Sequence, residues 1–381
     1  MNVLFLSQGY KIEDHPGWNY SLEQLQQEGM LLGFVNVPVR GYVRDHGWQS
    51  FYDHVIQLCQ ITKFDIIYFH YFHHGQNQKI VSPNECIKSI RRVLPDIVIV
   101  TSAGDPFSDN WMKPDYPIEF KECSRYADIT FSTQMGKAAD KMARWGAKKI
   151  VYTPNSMCPL RFKAHHICPK THRFDFDVVF VGSRNRGRFF NPLSMNSYAA
   201  RKRERLVRAL SMHFGERFGL FGNNWDGDFL NQGPTPFNDQ QKTFQRGRIV
   251  VGGNPYSHSD YYSSNRVFFE ISSGIPTVEL AVPRLGRVLR DQDHCYFCQS
   301  IDGIIETCDR LLKCDPVELY AKAARAADYI AERHTQYHRM KFKIETAMRY
   351  RSNGNRLAVD FPFFLPEVDL AAEAKFAMRE T

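Results

Sequence analysis

The chain has 381 residues, 43% hydrophobic and 14% aromatic, with a formal net charge of +8. That length accommodates two to three domains, and that apolar content excludes global disorder. The mild positive excess suits anionic ligands: nucleotides, nucleic acid or acidic polymers. Nine cysteines, an odd number at irregular spacings, exclude a regular disulfide framework. They predict free thiols in a reducing cytoplasm. The opening Met1-Asn2-Val3-Leu4-Phe5-Leu6 lacks the basic lead of a secretory signal, and no run approaches the ~18 apolar residues of a membrane span.

Val3 to Leu6 reads as a buried strand leaving through Ser7-Gln8-Gly9-Tyr10. Only Gly9 of a dinucleotide fingerprint is present, which disfavours hydride transfer. Asp14, His15 and Trp18 follow, either lining an acceptor site or forming a solvated loop. Apolar spacing predicts a helix over 21–32, a strand over 34–37 and a helix over 48–61. Phe64-Asp65-Ile66-Ile67-Tyr68-Phe69 is near-continuously apolar, as in a strand covered on both faces, and it ends in His70, His73 and His74. Ligands gather at the carboxyl ends of such strands, so His70 is a base or acceptor-binding candidate. No carboxylate or cysteine stands nearby to complete a metal site, and none is assigned. A helix over 87–93 and a strand over 97–100 lead to Thr101-Ser102-Ala103-Gly104-Asp105-Pro106. Asp105 lies on a post-strand loop, where function concentrates. It contacts the acceptor or acts as a base, or else it caps a turn before Pro106. A strand over 127–132, a helix over 134–145 closed by Gly146, and a strand from Lys149 to a Pro154-Asn155 turn complete a series of βα units.

Residues 158–175 carry Pro159, Pro169 and no apolar period, and read as a linker. Phe176 to Val181 restarts the βα pattern, followed by Gly182-Ser183-Arg184-Asn185. Eight basic residues (Arg184, Arg186, Arg188, Arg201, Lys202, Arg203, Arg205, Arg208) then stand against the single acid Glu204. They form either a diphosphate-binding entry plus a solvated helix face, or a footprint for an anionic polymer. The segment 189–198 is longer than an ordinary βα loop, as a lid or acceptor contact would be. Asn223-Asn224-Trp225-Asp226-Gly227-Asp228 reads as a polar loop. Cys295 and Cys298 are three apart in a predicted strand, and such residues point to opposite faces.

The stretch Ser264-Asn265-Arg266-Val267-Phe268-Phe269-Glu270-Ile271-Ser272-Ser273-Gly274-Ile275-Pro276 organises the second half. It predicts a helix capped by Ser264 or Asn265 and closed by Gly274, then a strand. Arg266 and Glu270 are four apart and share a face. They form a surface ion pair, or a cation for phosphate at a helix N-terminus with a carboxylate one turn deeper for a sugar diol. Helices follow over 301–314 and 316–333, and Thr335 is the expected N-cap of a last helix over 336–350. The aromatic, proline-containing tail from 354 is left unplaced.

Arg266-Val267-Phe268-Phe269-Glu270 with Gly274-Ile275-Pro276 resembles the nucleotide-sugar motif of GT-B glycosyltransferases, and most of all the CgeB-like set. The resemblance covers about 95–345, adding Asp105-Pro106, Gly182-Ser183 and His334-Thr335-Gln336-Tyr337-His338-Arg339. Gly104 stands where that set has a first Asp. The resemblance implies an α/β GT-B fold of two Rossmann-like domains facing across a cleft. Its divisions here are an acceptor domain (1–157), the linker (158–175), a donor domain (176–335) and a crossing helix with tail (336–381). It implies metal-independent transfer from a nucleotide-diphosphate sugar, with no further cofactor. The donor is held by Gly182, Ser183, Arg184, Asn265, Arg266 and Glu270 and approached by Gly9; Asp105, His70 and His15 serve the acceptor. A modified base in DNA and a glycan are both acceptor classes compatible with the charge. The alternatives are a nucleotide-sugar epimerase or hydrolase of the same fold, and a nucleic-acid-binding protein with a degenerate sugar site.

Overall fold

The computed structural model describes residues 1–70, 82–104, 118–184, 195–225, 227, 229–254, 256 and 258–380. Asp105, Arg186 and Arg188 lie outside them, as do His73, His74, Asp226 and Asp228. The first lobe comprises β1 (Asn2–Ser7), α1 (Pro16–Gln27), β2 (Gly33–Pro38), α2 (Val39–Ile61), β3 (Ile66–His70), α3 (Asn84–Val93), β4 (Val98–Ala103), α4 (Ile118–Tyr126), β5 (Ile129–Ser132), α5 (Lys137–Arg144) and β6 (Lys149–Tyr152). Its strands are parallel in the order β2-β1-β3-β4-β5-β6. The second lobe comprises β7 (Phe176–Val181), α6 (Met195–Phe214), β8 (Phe218–Phe221), α7 (Gln240–Phe244), β9 (Gly247–Val251), α8 (Asn265–Ser272), β10 (Thr277–Leu280), β11 (Tyr296–Cys298) and α9 (Ile301–Leu311). Its parallel order is β8-β7-β9-β10-β11. Then come α10 (Pro316–Arg333), α11 (Gln336–Ser352), α12 (Leu370–Ala377) and β12 (Met378–Glu380), which adds antiparallel to β6.

Strand order reverses between β1 and β3 in the first sheet and between β7 and β9 in the second. Such switch points open a crevice at the carboxyl ends of the strands. Gly9 and His70 flank the first opening; Gly182 and Gly252 flank the second. Hydrogen bonds bring the two strand ends together: Asn155 Nδ2 donates to Ser263 O (2.8 Å), Tyr152 Oη to Tyr261 O (3.1 Å), and Met135 N to Asp260 O (3.2 Å).

Several elements begin or end where local chemistry overrides the apolar period. The first helix starts at Pro16, preset for a first helical turn, rather than at 21. The second reaches back to Val39 and absorbs a break at Gly47, φ 81°. α5 starts only after Gly136, φ 59°, three residues later than expected. α6 begins at Met195, so the long loop read over 189–198 is shorter at its carboxyl end. α9 stops at Leu311 rather than 314. The stretch read as a linker is packed against the second lobe: Phe162 stacks on Phe269 at 4.1 Å, and His165 N donates to Ser272 O (2.9 Å). No helix among the described residues is long and apolar enough to cross a membrane.

Candidate functional site

The second-lobe switch point is built from fully buried carboxyls and partly buried guanidiniums. α8 is entered from Ser264 in extended conformation and left through Gly274 in the left-handed region, φ 74°. Its apolar face, Val267, Phe268 and Ile271, is buried. That burial carries Arg266 and Glu270 inward. Glu270 is 0% exposed, and Arg266 Nε stands 3.6 Å from its Oε1. The surface ion pair is therefore excluded. Arg266 Nη1 also donates to Val181 O, beneath the Gly182 turn, and its guanidinium lies over the Phe180 ring at 5.7 Å. A Cβ on Gly182 would collide with that guanidinium, so only glycine lets the turn sit this close.

The Gly182–Arg184 turn is fixed from below and from the side. Gly182 N donates to Phe221 O (2.8 Å) and Arg184 N to Asn223 O (2.9 Å). Trp225 Nε1 donates to Gly182 O (2.5 Å). The loop after β8, read as simply polar, thus contributes a buried tryptophan packed on Phe180 and Phe229. Arg203, on α6, donates from Nη1 to Ser183 O (3.0 Å). Its Nε is buried with no hydrogen-bond partner among the described residues. Burial, with Arg266 nearby, lowers Arg203 to about 10. Two guanidiniums therefore lie beneath one turn. The Arg184 side chain is engaged by Glu204 (2.8 Å), and exposed Asn265 turns its Oδ1 to Ser156 N (3.3 Å) in the first lobe.

Sequence reasoning named Arg203 only as one of a basic run, and missed Trp225 and Glu279 as site residues. Glu279 is 2% exposed on β10 and faces Glu270; a Cβ on Gly252 would collide with Glu279 Oε1 and Glu270 Oε2 together. The one available signal was an acid inside Thr277-Val278-Glu279-Leu280, an otherwise buried parallel strand. Burial raises both carboxyls; Glu279 adds to the rise at Glu270, while Arg266 opposes it.

In the first lobe His70 ends β3 and is enclosed by Trp18, Phe5 and Tyr68, with ring centroids 4.7, 5.2 and 5.5 Å away. It is 2% exposed, and burial, Lys343 and His15 hold it well below the usual imidazole range. His15, half-buried at the entrance to α1, is the more accessible ring. Burial lowers it too, reinforced by Arg161 and Arg40 against Asp14. Gly9 sits in a tight loop whose Tyr10 and Lys11 N–H groups donate to Asp14 Oδ2 (2.7 and 3.2 Å). Lys343 reaches in from α11, donating to Tyr68 Oη (2.6 Å), which pairs with Ser102 Oγ (2.8 Å). No group of three or more His, Cys, Asp or Glu among the described residues is arranged to hold a metal ion.

Residues 201–345 match a family model described as Glycosyl transferase-like. No curated protein matches the chain. Among solved structures it is similar to a glycosyltransferase from Rickettsia africae (TM-score 0.58, 8% identity, covering 92% of this chain and 99% of that one). It is also similar to Anabaena HepE in complex with UDP and glucose (0.53, 12%, 92% and 100%). A T4 phage BGT mutant in complex with UDP-glucose is a third (0.51, 13%, 90% and 99%). The fold is GT-B, two Rossmann-like domains facing across a cleft.

Proposed function

We propose that this chain is a glycosyltransferase of the CgeB-like kind, moving a sugar from a nucleoside-diphosphate sugar to an acceptor hydroxyl without a metal. The observation that carries the reading is the buried Arg266–Glu270 pair, one helical turn apart beneath the Gly182 turn at a switch point. A carboxyl with 0% exposure and no hydrogen bond to either oxygen among the described residues suits an incoming ribose diol. Arg266 and Arg203 suit the diphosphate, whose negative charge grows as the glycosyl bond breaks. The family-model match over 201–345 and the fold support the same assignment. On the first lobe, a neutral His15 imidazole or the Asp105 carboxylate would take the acceptor proton. His70, enclosed by rings, holds that wall in shape.

A thermal-shift panel of UDP, GDP and their sugars tests this. One nucleoside diphosphate should raise the midpoint by several degrees, which is the mass-action effect of a ligand well above its Kd. Glu270→Ala should abolish the shift, and a chelator should leave it unchanged. A panel in which no nucleotide stabilises the protein would sink the assignment. The exposed Arg201 and Arg205, four apart on α6, favour a nucleic-acid acceptor as the second reading. Salt-sensitive retention of DNA by the Glu270→Ala variant would support it.

A further inference from the structure

β10 brings an acid to the donor site that the reading above does not use. Thr277 and Glu279 face α8, while Val278 and Leu280 pack on the opposite side with α6 and α9. Glu279 Oε2 accepts the N–H of Asn254 (3.1 Å), which fixes one end of the carboxyl. Its Oε1 and Glu270 Oε2 both crowd the position where Gly252 has no side chain. Two anions meeting at one buried point repel strongly, whereas one proton between them turns the repulsion into a hydrogen bond. The groups acting on the pair are Arg266 on α8, Arg203 on α6 and the Cys295 thiol ahead of β11, and Arg203 in turn has the Tyr256 and Tyr262 phenols near it. Only the two guanidiniums are positive, and both are also turned toward the Gly182 turn.

We propose that Glu279 is a positioning residue of the donor site, sharing one proton with Glu270 so that the Glu270 carboxyl is held toward the crevice and its second oxygen stays available to a ribose hydroxyl. This rests on the donor reading given above. The proton belongs to the pair: burial raises both members, Glu279 adds to the rise at Glu270, and the hydrogen bond with Glu270 eases the rise at Glu279. With the proton lost, Glu270 is unmoored and two anions stand beside the diphosphate subsite. Nucleotide affinity therefore falls as pH rises.

The test uses UDP and the full chain. Infrared difference spectra between wild type and Glu279→Gln, taken at neutral pH without nucleotide, should show a protonated-carboxyl carbonyl band in wild type alone. Wild-type affinity for UDP should fall about tenfold as pH rises, following loss of a bound proton. Glu279→Gln, whose amide N–H replaces the shared proton, should bind within a few-fold of wild type at lower pH and show a flat profile. Glu279→Leu should bind about tenfold more weakly at every pH. No difference band, or a Glu279→Gln profile that tracks wild type, overturns the shared proton. Unchanged UDP binding by Glu279→Leu overturns the positioning role while leaving the donor assignment intact. A band in wild type with binding of neither UDP nor GDP overturns the donor assignment and with it this role, although the carboxyl pair itself would stand.

Discussion

Lys343 places a primary amine 2% exposed beneath the first sheet, with its Nζ over the Trp18, Tyr68 and Phe131 rings at 5.2, 5.2 and 5.8 Å. Burial, with Arg339 adding to it, brings this lysine down to about 7. An unfolded lysine titrates near 10.4, so the unfolded chain binds more protons through the interval between. Stability then rises with pH across that window and is lost as pH falls toward 7. Each unit is worth about 1.4 kcal/mol, so over about 3.4 units the swing is on the order of 5 kcal/mol at most. Urea denaturation of wild type and Lys343→Met at about pH 7 and about pH 10 measures it. The difference should shift in favour of wild type at the higher pH, and a constant difference would refute the assignment. Neither this lysine nor Glu279 was legible as a buried charge. Helix periodicity put Arg266 and Glu270 on one face but left open whether that face was solvated or buried. Glu279 and Arg203 meet them only through strand order and the packing of α6, which no spacing encodes.

At the scale of elements, α11 shows what a motif can state correctly without revealing its use. Thr335 was readable as an N-cap, and it is one. The partner at the third helical position is a histidine rather than a glutamate: His338 Nδ1 pairs with Thr335 Oγ1 (2.8 Å) and accepts from Thr335 N (3.4 Å). Burial lowers His338 to about 4, which keeps that nitrogen an acceptor. Arg339 then turns back onto the segment that leaves the first lobe. Its Nε donates to Pro154 O (3.0 Å), its Nη1 to Arg333 O (3.1 Å), and its Nη2 pairs with His334 Nδ1. These bonds tie the end of the first lobe to the start of the crossing helix. Arg339→Met should cost about 3–5 kcal/mol, because it leaves several buried acceptors unpaired. Thr335→Ala should cost about 1 kcal/mol. Chemical denaturation ranks the two, and an Arg339→Met loss no larger than the cap's would show that the Arg339 bonds contribute little. The strands were read well for the opposite reason. Each is a short, continuous apolar run flanked by turn residues, and burial on both faces of a parallel sheet leaves little else for such runs to do.

For the whole molecule, the decisive contacts come from the tail, which the sequence left unplaced because aromatic clusters without a period fit no element. Phe361, Phe363, Phe364, Leu365 and Val368 are buried against a core that also includes residues of both lobes. Beyond them, α12 presents Glu373 to the second lobe. It accepts from Tyr261 Oη and Arg284 Nη1 (3.0 Å), with Arg287 Nε at 3.7 Å. Arg284 holds a left-handed backbone, φ 64°, unusual for a side chain of that size, and its guanidinium covers Phe376 at 3.5 Å. β12 then pairs with β6 of the first lobe, where Arg379 meets Asp140. One short segment thus grips both lobes and covers a sheet edge that would otherwise offer unpaired backbone groups. Its contacts join the two lobes without including Arg266, Glu270 or Glu279. Glu373→Ala should therefore lower stability by about 1–3 kcal/mol, since it leaves the buried Tyr261 hydroxyl and the half-buried Arg284 without their shared acceptor. For a chain of this size that is a drop of several degrees in Tm. UDP binding per folded molecule should stay within a few-fold of wild type. If scanning calorimetry finds Glu373→Ala as stable as wild type, the tail is decoration on the fold rather than a strap across it.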